Sequence, residues 1–431
     1  MKLLILSNSE WDDSNSFGSS FSSIFGNLKD VEIANIYCRE GKPNTKTADS
    51  FFQITEKMMI KNLINPSTPS GKLVDLSSES KLNQLTESEK EIYNYTKSKR
   101  WFVFIWIREL IWLIGRWKSK ELNYFIKNYN PDIIFLPIYY SVYLNKIGIY
   151  LSKITEKPIV GYISDDCYTL RQYSLNPFYW IERLIKRHWV KKSIKRSKIL
   201  YVISDIQKHD YDRIFHIESK LLYKGNNFDI LPQIKEIITS PIKLVYTGNI
   251  GDNRWKVLNN IGEAIHSIND TQLRIQLYIY SKTQISNSIK NRLQKNNSVY
   301  FMGGVDAKEI PHILNEADVL VHVEPTDLKG RLQVRQSFST KIVDYLHAGG
   351  AIFAVGWKEA ASIDYLVQND AALVAFDEKS ITEQLQKIVD YPEILNEYAQ
   401  KAWECGKRNH QIDDIQKRLY DDLSQLITEQ Q

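Results

Sequence analysis

The chain has 431 residues but only three cysteines, Cys38, Cys167 and Cys405, which lie far apart and form no CxxC pair. That scarcity excludes a disulfide framework and points to a reducing cytoplasm. Long uncharged apolar runs are missing too. The most hydrophobic stretch, Trp101 to Trp117 (WFVFIWIRELIWLIGRW), is interrupted by Arg108 and Glu109. It therefore falls short of the roughly 18 residues a membrane span needs. Its apolar residues surround most of a helix, which favours burial over contact with a membrane surface. The opening MKLLILSNSEWDD turns polar and acidic after Leu6, so it reads as a first buried strand and not as a leader. The eight histidines are scattered, with no HExxH and no His/Cys cluster, so no metal ion and no cofactor is expected. No GxGxxG fingerprint and no nucleophile elbow occurs. The net charge of +5 is too small to argue for a nucleic-acid partner. Asp210-Tyr-Asp212 is formally a DxD pair, but it falls inside a predicted helix and reads as surface charge.

What the sequence does have is alternation. Apolar strands are predicted at Lys2–Ser7, Val31–Tyr37, Asp132–Pro137, Pro158–Ile163, Ile199–Ile203 and Leu221–Tyr223, with helices between them. Residues 40–98 are polar and read as loops and short helices. One long helix is predicted over 101–128 and a basic one over about 178–196. After a linker, residues 224–240, the alternation restarts with strands Ile242–Thr247, Leu273–Tyr280, Val299–Met302, Val319–Val323 and Ala351–Val355. The tail from about 380 is helical. Two such runs predict an α/β chain of two Rossmann-like, doubly wound domains with parallel sheets. Ligands in such folds bind at the carboxyl ends of the strands, here in a cleft the two domains face.

The densest signal is Phe338 to Gly356, FSTKIVDYLHAGGAIFAVG. Ser339 and Thr340 are good N-cap residues, Ile342, Val343, Tyr345 and Leu346 have helical spacing, and Gly349 and Gly350 end the helix. Lys341 and Asp344 are three apart and share a face. A cation beside a helix start can hold a phosphate, and a carboxylate one turn on can accept bonds from sugar hydroxyls. A nucleotide sugar is a ligand of that description. The segment Arg183 to Lys198 carries eight basic residues and no acid, interleaved with apolar ones; such a helix, 181–198, points to an anionic membrane surface.

Three blocks in this order, YTGNIGDNRWKVLNNIGEAI, YFMGGVDAKEIPHILNEADVLVHV and FSTKIVDYLHAGGAIFAVG, resemble the second domain of GT-B glycosyltransferases, specifically the family 4-like enzymes of bacterial polysaccharide assembly. ILYVISDIQKHDYDRIF with LLYKGNNFD is similar to the end of that family's first domain. The resemblance implies an acceptor domain over 1–230 and a donor domain over 241–404, with helices about 405–431 returning to the first. It implies transfer of a sugar from a nucleoside diphosphate donor to a glycan or lipid-linked acceptor in surface polysaccharide synthesis, with retention of configuration. The enzyme would be cytoplasmic, or peripheral on the inner face of the membrane.

By the same resemblance, Lys256 contacts the donor diphosphate. Asn249 stands where an arginine is usual, and Arg254 is its replacement. Gly303, Gly304 and Val305 approach the base. Asp344 takes the second position of a Glu-x7-Glu pattern and binds ribose. The first position holds Gln336, and Glu324 is the nearest acidic substitute. Lys329, Arg331 and Arg335 lie on a long loop, Pro325–Phe338. Preorganised cations stabilise a leaving diphosphate, which makes Lys256 and Lys341 the expected contributors, with Arg254, Arg331 or Arg335 as further candidates. Asp165 or Asp166 is the acceptor-side candidate, as a base or as a turn residue. Gly18, in a predicted loop SFGSS, is a close-approach glycine or a plain turn. Two rivals fit the same residues: a GT-B-like UDP-sugar epimerase, and a degenerate GT-B protein that binds nucleotide or a partner without turnover, as Asn249 and Gln336 would allow.

Overall fold

The computed structural model describes residues 1–76 and 102–429, apart from positions 233 and 236, and no side chain of 102–105. Residues 77–98 of the polar stretch, Trp101, the two linker positions and the last two residues lie outside the described residues. The chain divides into two compact units. The first comprises Met1–Ile163, Phe178–Tyr201 and Leu419–Gln431; the second comprises Ser164–Pro177 and Val202–Arg418.

The elements run β1 (Lys2–Ser7), α1 (Ser16–Phe25), β2 (Glu32–Tyr37), β3 (Ser50–Gln53), α2 (Glu56–Ile64), β4 (Lys72–Val74), α3 (Phe102–Ile114) and α4 (Lys120–Tyr129). Next come β5 (Ile133–Pro137), α5 (Val142–Thr155), β6 (Ile159–Ile163), α6 (Pro177–Arg196), β7 (Ser197–Val202), α7 (Asp205–Phe215) and β8 (Lys220–Leu221). They build an eight-stranded sheet of order β4-β3-β2-β1-β5-β6-β7-β8. The pairs β1–β2, β1–β5, β2–β3 and β5–β6 are parallel, and β3–β4 is antiparallel. Leu3 to Leu6 and Ile133 to Leu136 are fully buried, which is why these strands read as unbroken apolar runs.

The second run is β9 (Ile242–Thr247), α8 (Arg254–Ile268), β10 (Ile275–Tyr280), α9 (Asn287–Leu293), β11 (Val299–Gly303), α10 (Ile310–Asn315) and β12 (Val319–Val323). It continues with α11 (Leu328–Val334), α12 (Lys341–His347), β13 (Ala351–Val355), α13 (Ala361–Gln368), β14 (Leu373–Ala375), α14 (Glu378–Asp390), α15 (Ile394–His410) and α16 (Ile412–Thr428). Its six strands have the order β11-β10-β9-β12-β13-β14, and every pair is parallel. Two α/β runs with parallel-dominated sheets are thus present, as the alternation predicts. One core cluster, including Leu244, Leu258, Ile261, Leu277, Val321 and Phe353, joins strands to the helices that cover them.

Several expectations need correction. The single helix over 101–128 is two helices. The chain breaks at Gly115, where a Cβ would come within 2.7 Å of Met59 Sδ. Ser119 then caps α4 by accepting from the Leu122 amide. The burial expected for the apolar stretch also fails. On α3, Trp112 is buried, but Ile107, Leu110, Leu113 and Ile114 are exposed. The inward side of α3 is spent on polar contacts, because Arg108 and Trp112 both donate to Glu56 Oε1 at 2.7 Å. Gly18 is not in a loop. It lies in the first turn of α1, where Asn15 accepts from its amide at 2.8 Å and a Cβ would sit 2.0 Å from Asp12 O. The loop Pro325–Phe338 contains α11, capped by Asp327. The basic helix α6 is not basic on one outer face alone: Arg183 and Lys186 are buried, Lys186 pairs with Glu182, and both cations lie over the Tyr140 ring.

Candidate active site

In the second sheet β9 and β12 are neighbours, and the strand order reverses there. This is the switch point, where loops leave toward opposite faces and open a crevice beyond the carboxyl ends. At the end of β9, Gly248 has φ +144°, and a Cβ on it would stand 2.2 Å from Lys341 Nζ. Only glycine lets the lysine reach this spot. Lys341 Nζ donates to Thr247 O at 3.1 Å and lies 4.9 Å from the centre of the Tyr246 ring. The local sequence explains the reach: Ile342, Val343, Tyr345 and Leu346 are buried, which fixes α12 and leaves Lys341 and Asp344 at its edge. The Tyr345 hydroxyl lies 3.3 Å from the Thr247 amide nitrogen, against the same strand end.

Glu324, one residue past β12, is buried and accepts from Arg254 Nη2 at 2.8 Å. Asp252 lies 3.9 Å from the other side of that guanidinium. His322 Nε2 is 3.4 Å from Glu324 Oε1. Burial pushes Glu324 up, but His322 and Arg254 at its oxygens outweigh that and hold it below the usual carboxylate range. Burial works against charge on Arg254, and Glu324 more than restores it. Burial drives His322 down, so it is neutral at pH 7. Lys341 is lowered to about 8, chiefly by burial and further by Arg254, with Glu324 and Asp344 pulling the other way. The arrangement is a cationic seat of tunable charge at a strand end, with a carboxylate one helical turn away.

Not all the expected residues meet there. Arg254, Glu324 and Lys341 do. Asp344 pairs with Lys224 Nζ at 2.5 Å. Lys256 is exposed on the first turn of α8, its ammonium 5.9 Å from the Trp255 ring centre. Asn249 is exposed and closes its own loop, accepting from the Gly251 amide at 2.7 Å and the Thr283 hydroxyl at 2.9 Å. Gly303 has φ +80° with open space beside it, whereas a Cβ on Gly304 would meet Lys282; Val305 follows, outside the strand. Thr340 is the N-cap of α12 but makes no side-chain capping bond, and the Ser339 amide donates to Ser362 Oγ at 2.9 Å. The capping expected of these two residues is therefore absent.

Asp166 has both oxygens engaged in its own turn, by the Tyr168 and Thr169 amides, the Thr169 hydroxyl and Gln172. Asp165 accepts from Ser337 Oγ at 2.7 Å. The turn reading describes Asp166, whereas Asp165 is tied to a residue 172 positions away. Asp210 corrects the surface-charge reading of the DxD pair. It is buried and accepts from Arg335 and, at 2.6 Å, from Gln336 Nε2. Arg335 is thereby tied to α7 and does not reach the seat, and Gln336 is buried where the resemblance wanted an acid. Arg335 also lines a cavity of about 340 Å³ with Arg171, Arg213, Asp205 and Asp364.

Three features of the site carry little signal in the sequence. Lys224 falls in the predicted linker, residues 224–240. His322 had one available signal, a lone histidine in the apolar run VLVHV. At the first sheet's own switch point, beyond β1 and β5, Asn8 accepts from the Tyr143 hydroxyl at 2.6 Å, and Arg108 donates to that hydroxyl and to Glu56. Among the described residues no group of three or more His, Cys, Asp or Glu could hold a metal ion.

No protein-family model matches the sequence. No curated protein matches it either. Solved structures do match. Anabaena HepE in complex with UDP and glucose superposes with a TM-score of 0.64 at 12% identity, over 99% of this chain and all of that one. Sucrose-phosphate synthase from Thermosynechococcus elongatus gives 0.64 at 11% identity, with both chains fully covered. WaaG, a glycosyltransferase involved in lipopolysaccharide biosynthesis, gives 0.57 at 13%, over 98% of this chain and 99% of that one. Agreement over whole chains at such identities is agreement of fold, and the fold of this chain is that of the GT-B glycosyltransferases.

Proposed function

We propose that the chain is a glycosyltransferase that takes a sugar from a nucleoside diphosphate donor. The carrying observation is the placement of Lys341, with Arg254 and Glu324, at the switch point of the second sheet. In the proposed reaction the bond from the anomeric carbon to the diphosphate breaks, and its electron pair stays on the diphosphate oxygen. Lys341 neutralises that charge in a seat already formed, so little reorganisation is needed. Arg254 and Glu324 hold the wall of the seat. The acceptor hydroxyl oxygen bonds the anomeric carbon on the face the donor leaves, and its proton passes to the departing diphosphate, which gives retention. Asp344 accepts from the ribose hydroxyls. Lys256 and the 303–305 turn are the outer diphosphate and base contacts. HepE was solved with UDP-glucose, which supports a UDP-sugar as the first donor to try. WaaG's role in lipopolysaccharide biosynthesis supports a glycan or lipid-linked acceptor in surface polysaccharide synthesis.

One observation favours binding without transfer: Gln336 replaces an acid and is committed to Asp210. Turnover separates the two readings. The protein is incubated with UDP-, GDP-, CDP- and ADP-sugars, and nucleoside diphosphate release is followed with and without glycan acceptors. Acceptor-dependent release that Lys341→Met abolishes supports transfer. A free-sugar product needing no acceptor supports epimerisation. Nucleotide binding with no release under any condition overturns the transfer reading.

A further inference from the structure

The segment that carries Lys224 is joined to the end of α15 along its main chain, inside the second unit. Asn226 bridges Gln411 in parallel: the Asn226 amide donates to His410 O at 2.9 Å, and the Ile412 amide donates to Asn226 O at 3.0 Å. The Phe228 amide donates to Gln411 Oε1 at 2.8 Å. Two glycines allow this approach. A Cβ on Gly225 would stand 2.8 Å from Ile412 Cα, and one on Gly406 would stand 2.1 Å from the Phe228 ring.

His410, the last residue of α15, is fully buried among aromatic rings. The Phe338 ring lies nearly parallel to it with centroids 5.8 Å apart, and Tyr223 and Tyr365 flank it. An apolar side chain would fill that cage with no polar atom to desolvate. The imidazole is kept there with both nitrogens paired. Nδ1 is 3.1 Å from Lys224 O, and Nε2 is 2.9 Å from the Tyr365 hydroxyl. A carbonyl can only accept, so the partners assign the proton to Nδ1, and Nε2 accepts from Tyr365. Asn409 Nδ2 donates to the Tyr365 oxygen at 3.0 Å, which leaves the hydroxyl proton for the ring. Burial lowers His410 to about 4, so the ring is neutral at pH 7.

The carbonyl held by His410 belongs to the residue whose ammonium meets Asp344. A lysine stem is flexible. Fixing its main chain in a network of set hydrogen-bond polarity confines where the ammonium can go. The same imidazole braces Phe338, which leads into α12, the helix of Asp344.

We propose that His410 is a positioning residue: through the Lys224 carbonyl it sets the Lys224 ammonium on Asp344, and so presents that carboxylate to the ribose of the nucleotide. The ribose step rests on the transferase reading, and the setting of Lys224 does not.

The test reads Lys224 directly, without nucleotide. The full chain is acetylated briefly with acetic anhydride, and modification is quantified at each lysine by mass spectrometry. His410→Leu fills the cage but removes the donor, whereas His410→Asn keeps an amide N–H near the Nδ1 position. Acetylation of Lys224 should rise about threefold or more in His410→Leu and return toward wild type in His410→Asn. Lys295, paired with Glu263 in the same unit, should not change. If His410→Leu does not fold, Tyr365→Phe is the second probe. It removes the hydroxyl that fixes the tautomer and should also raise Lys224 acetylation. Imidazole nitrogen-15 shifts should show a neutral Nδ1–H ring for wild-type His410 at pH 7. Unchanged Lys224 acetylation, an equal rise at Lys295, or a wild-type ring protonated at Nε2 overturns the proposal. For the ribose step, His410→Leu should weaken UDP binding by about tenfold and leave 2′,3′-dideoxy-UDP unchanged; an equal loss for both overturns that step. A wild type that binds no nucleotide is a failure of the transferase reading, and the Lys224 readout still decides the positioning role.

Discussion

Lys224 Nζ lies 2.5 Å from Asp344 Oδ1, joining residues 120 positions apart. Lys224 is the more enclosed partner, and its carbonyl oxygen is 3.1 Å from Nδ1 of the fully buried His410. The pair aims the carboxylate that the proposed reaction uses for ribose. Lys224→Met should cost less than about 1 kcal/mol in stability, because Asp344 is substantially exposed. It should weaken UDP binding by about tenfold yet leave 2′,3′-dideoxy-UDP unchanged. Calorimetric titration with both ligands checks this, and an equal loss for both would assign Lys224 a purely structural role.

Lys341 sets a pH dependence. Its folded pKa, lowered to about 8, makes it cationic below pH 8 and neutral above. Nucleoside diphosphate affinity should therefore fall as pH rises through about 8, and Lys341→Arg should flatten the fall. Stability of the free protein runs the other way for this group. Between pH 8 and the ordinary lysine value the unfolded chain binds more protons, so this contribution rises with pH. Binding and melting curves over the same pH series check both signs.

Arg254 and Glu324 are a buried pair, with side chains 19% and 4% exposed. Arg254→Ala strands the carboxylate and should cost about 3–5 kcal/mol. Glu324→Gln keeps shape and one acceptor and should cost less. Urea denaturation of both variants measures the difference.

Gly248→Ala would place a methyl on the Lys341 ammonium at a φ that side chains rarely adopt. A loss of about 1–3 kcal/mol is expected, together with loss of the nucleotide-induced melting shift. Gly303→Ala, with open space around it, should cost only the backbone strain.

The strands most legible in the sequence are those buried on both faces. Ile242–Thr247, Val319–Val323 and Ala351–Val355 have the bounds that their apolar runs give. The short strands β3, β4 and β14, at or next to a sheet edge, were not legible. They are three or four residues long, and on β4 the side chains are half-exposed, so length and pattern are too short to mark them. Within the site, Lys341 and Asp344 could be placed together because helical spacing is local. The partners could not. Arg254–Glu324, Lys224–Asp344 and Arg335–Asp210 join residues 70, 120 and 125 positions apart, and spacing carries no information at that range. Arg335 was misread for this reason: a basic residue on a long loop looks available for phosphate until a buried acid is found beside it.

The most direct test of the central claim is a melting-temperature panel with UDP, GDP, CDP and ADP on wild type and Lys341→Met. A ligand that binds only the folded state must stabilise it. The account predicts that one nucleotide raises the wild-type transition by about 2 °C or more at saturating concentration. Lys341→Met should melt no lower than wild type, since a buried ammonium has been removed, and should show no shift. An equal shift in wild type and Lys341→Met, or no shift with any of the four, would contradict the placement of the diphosphate at this seat.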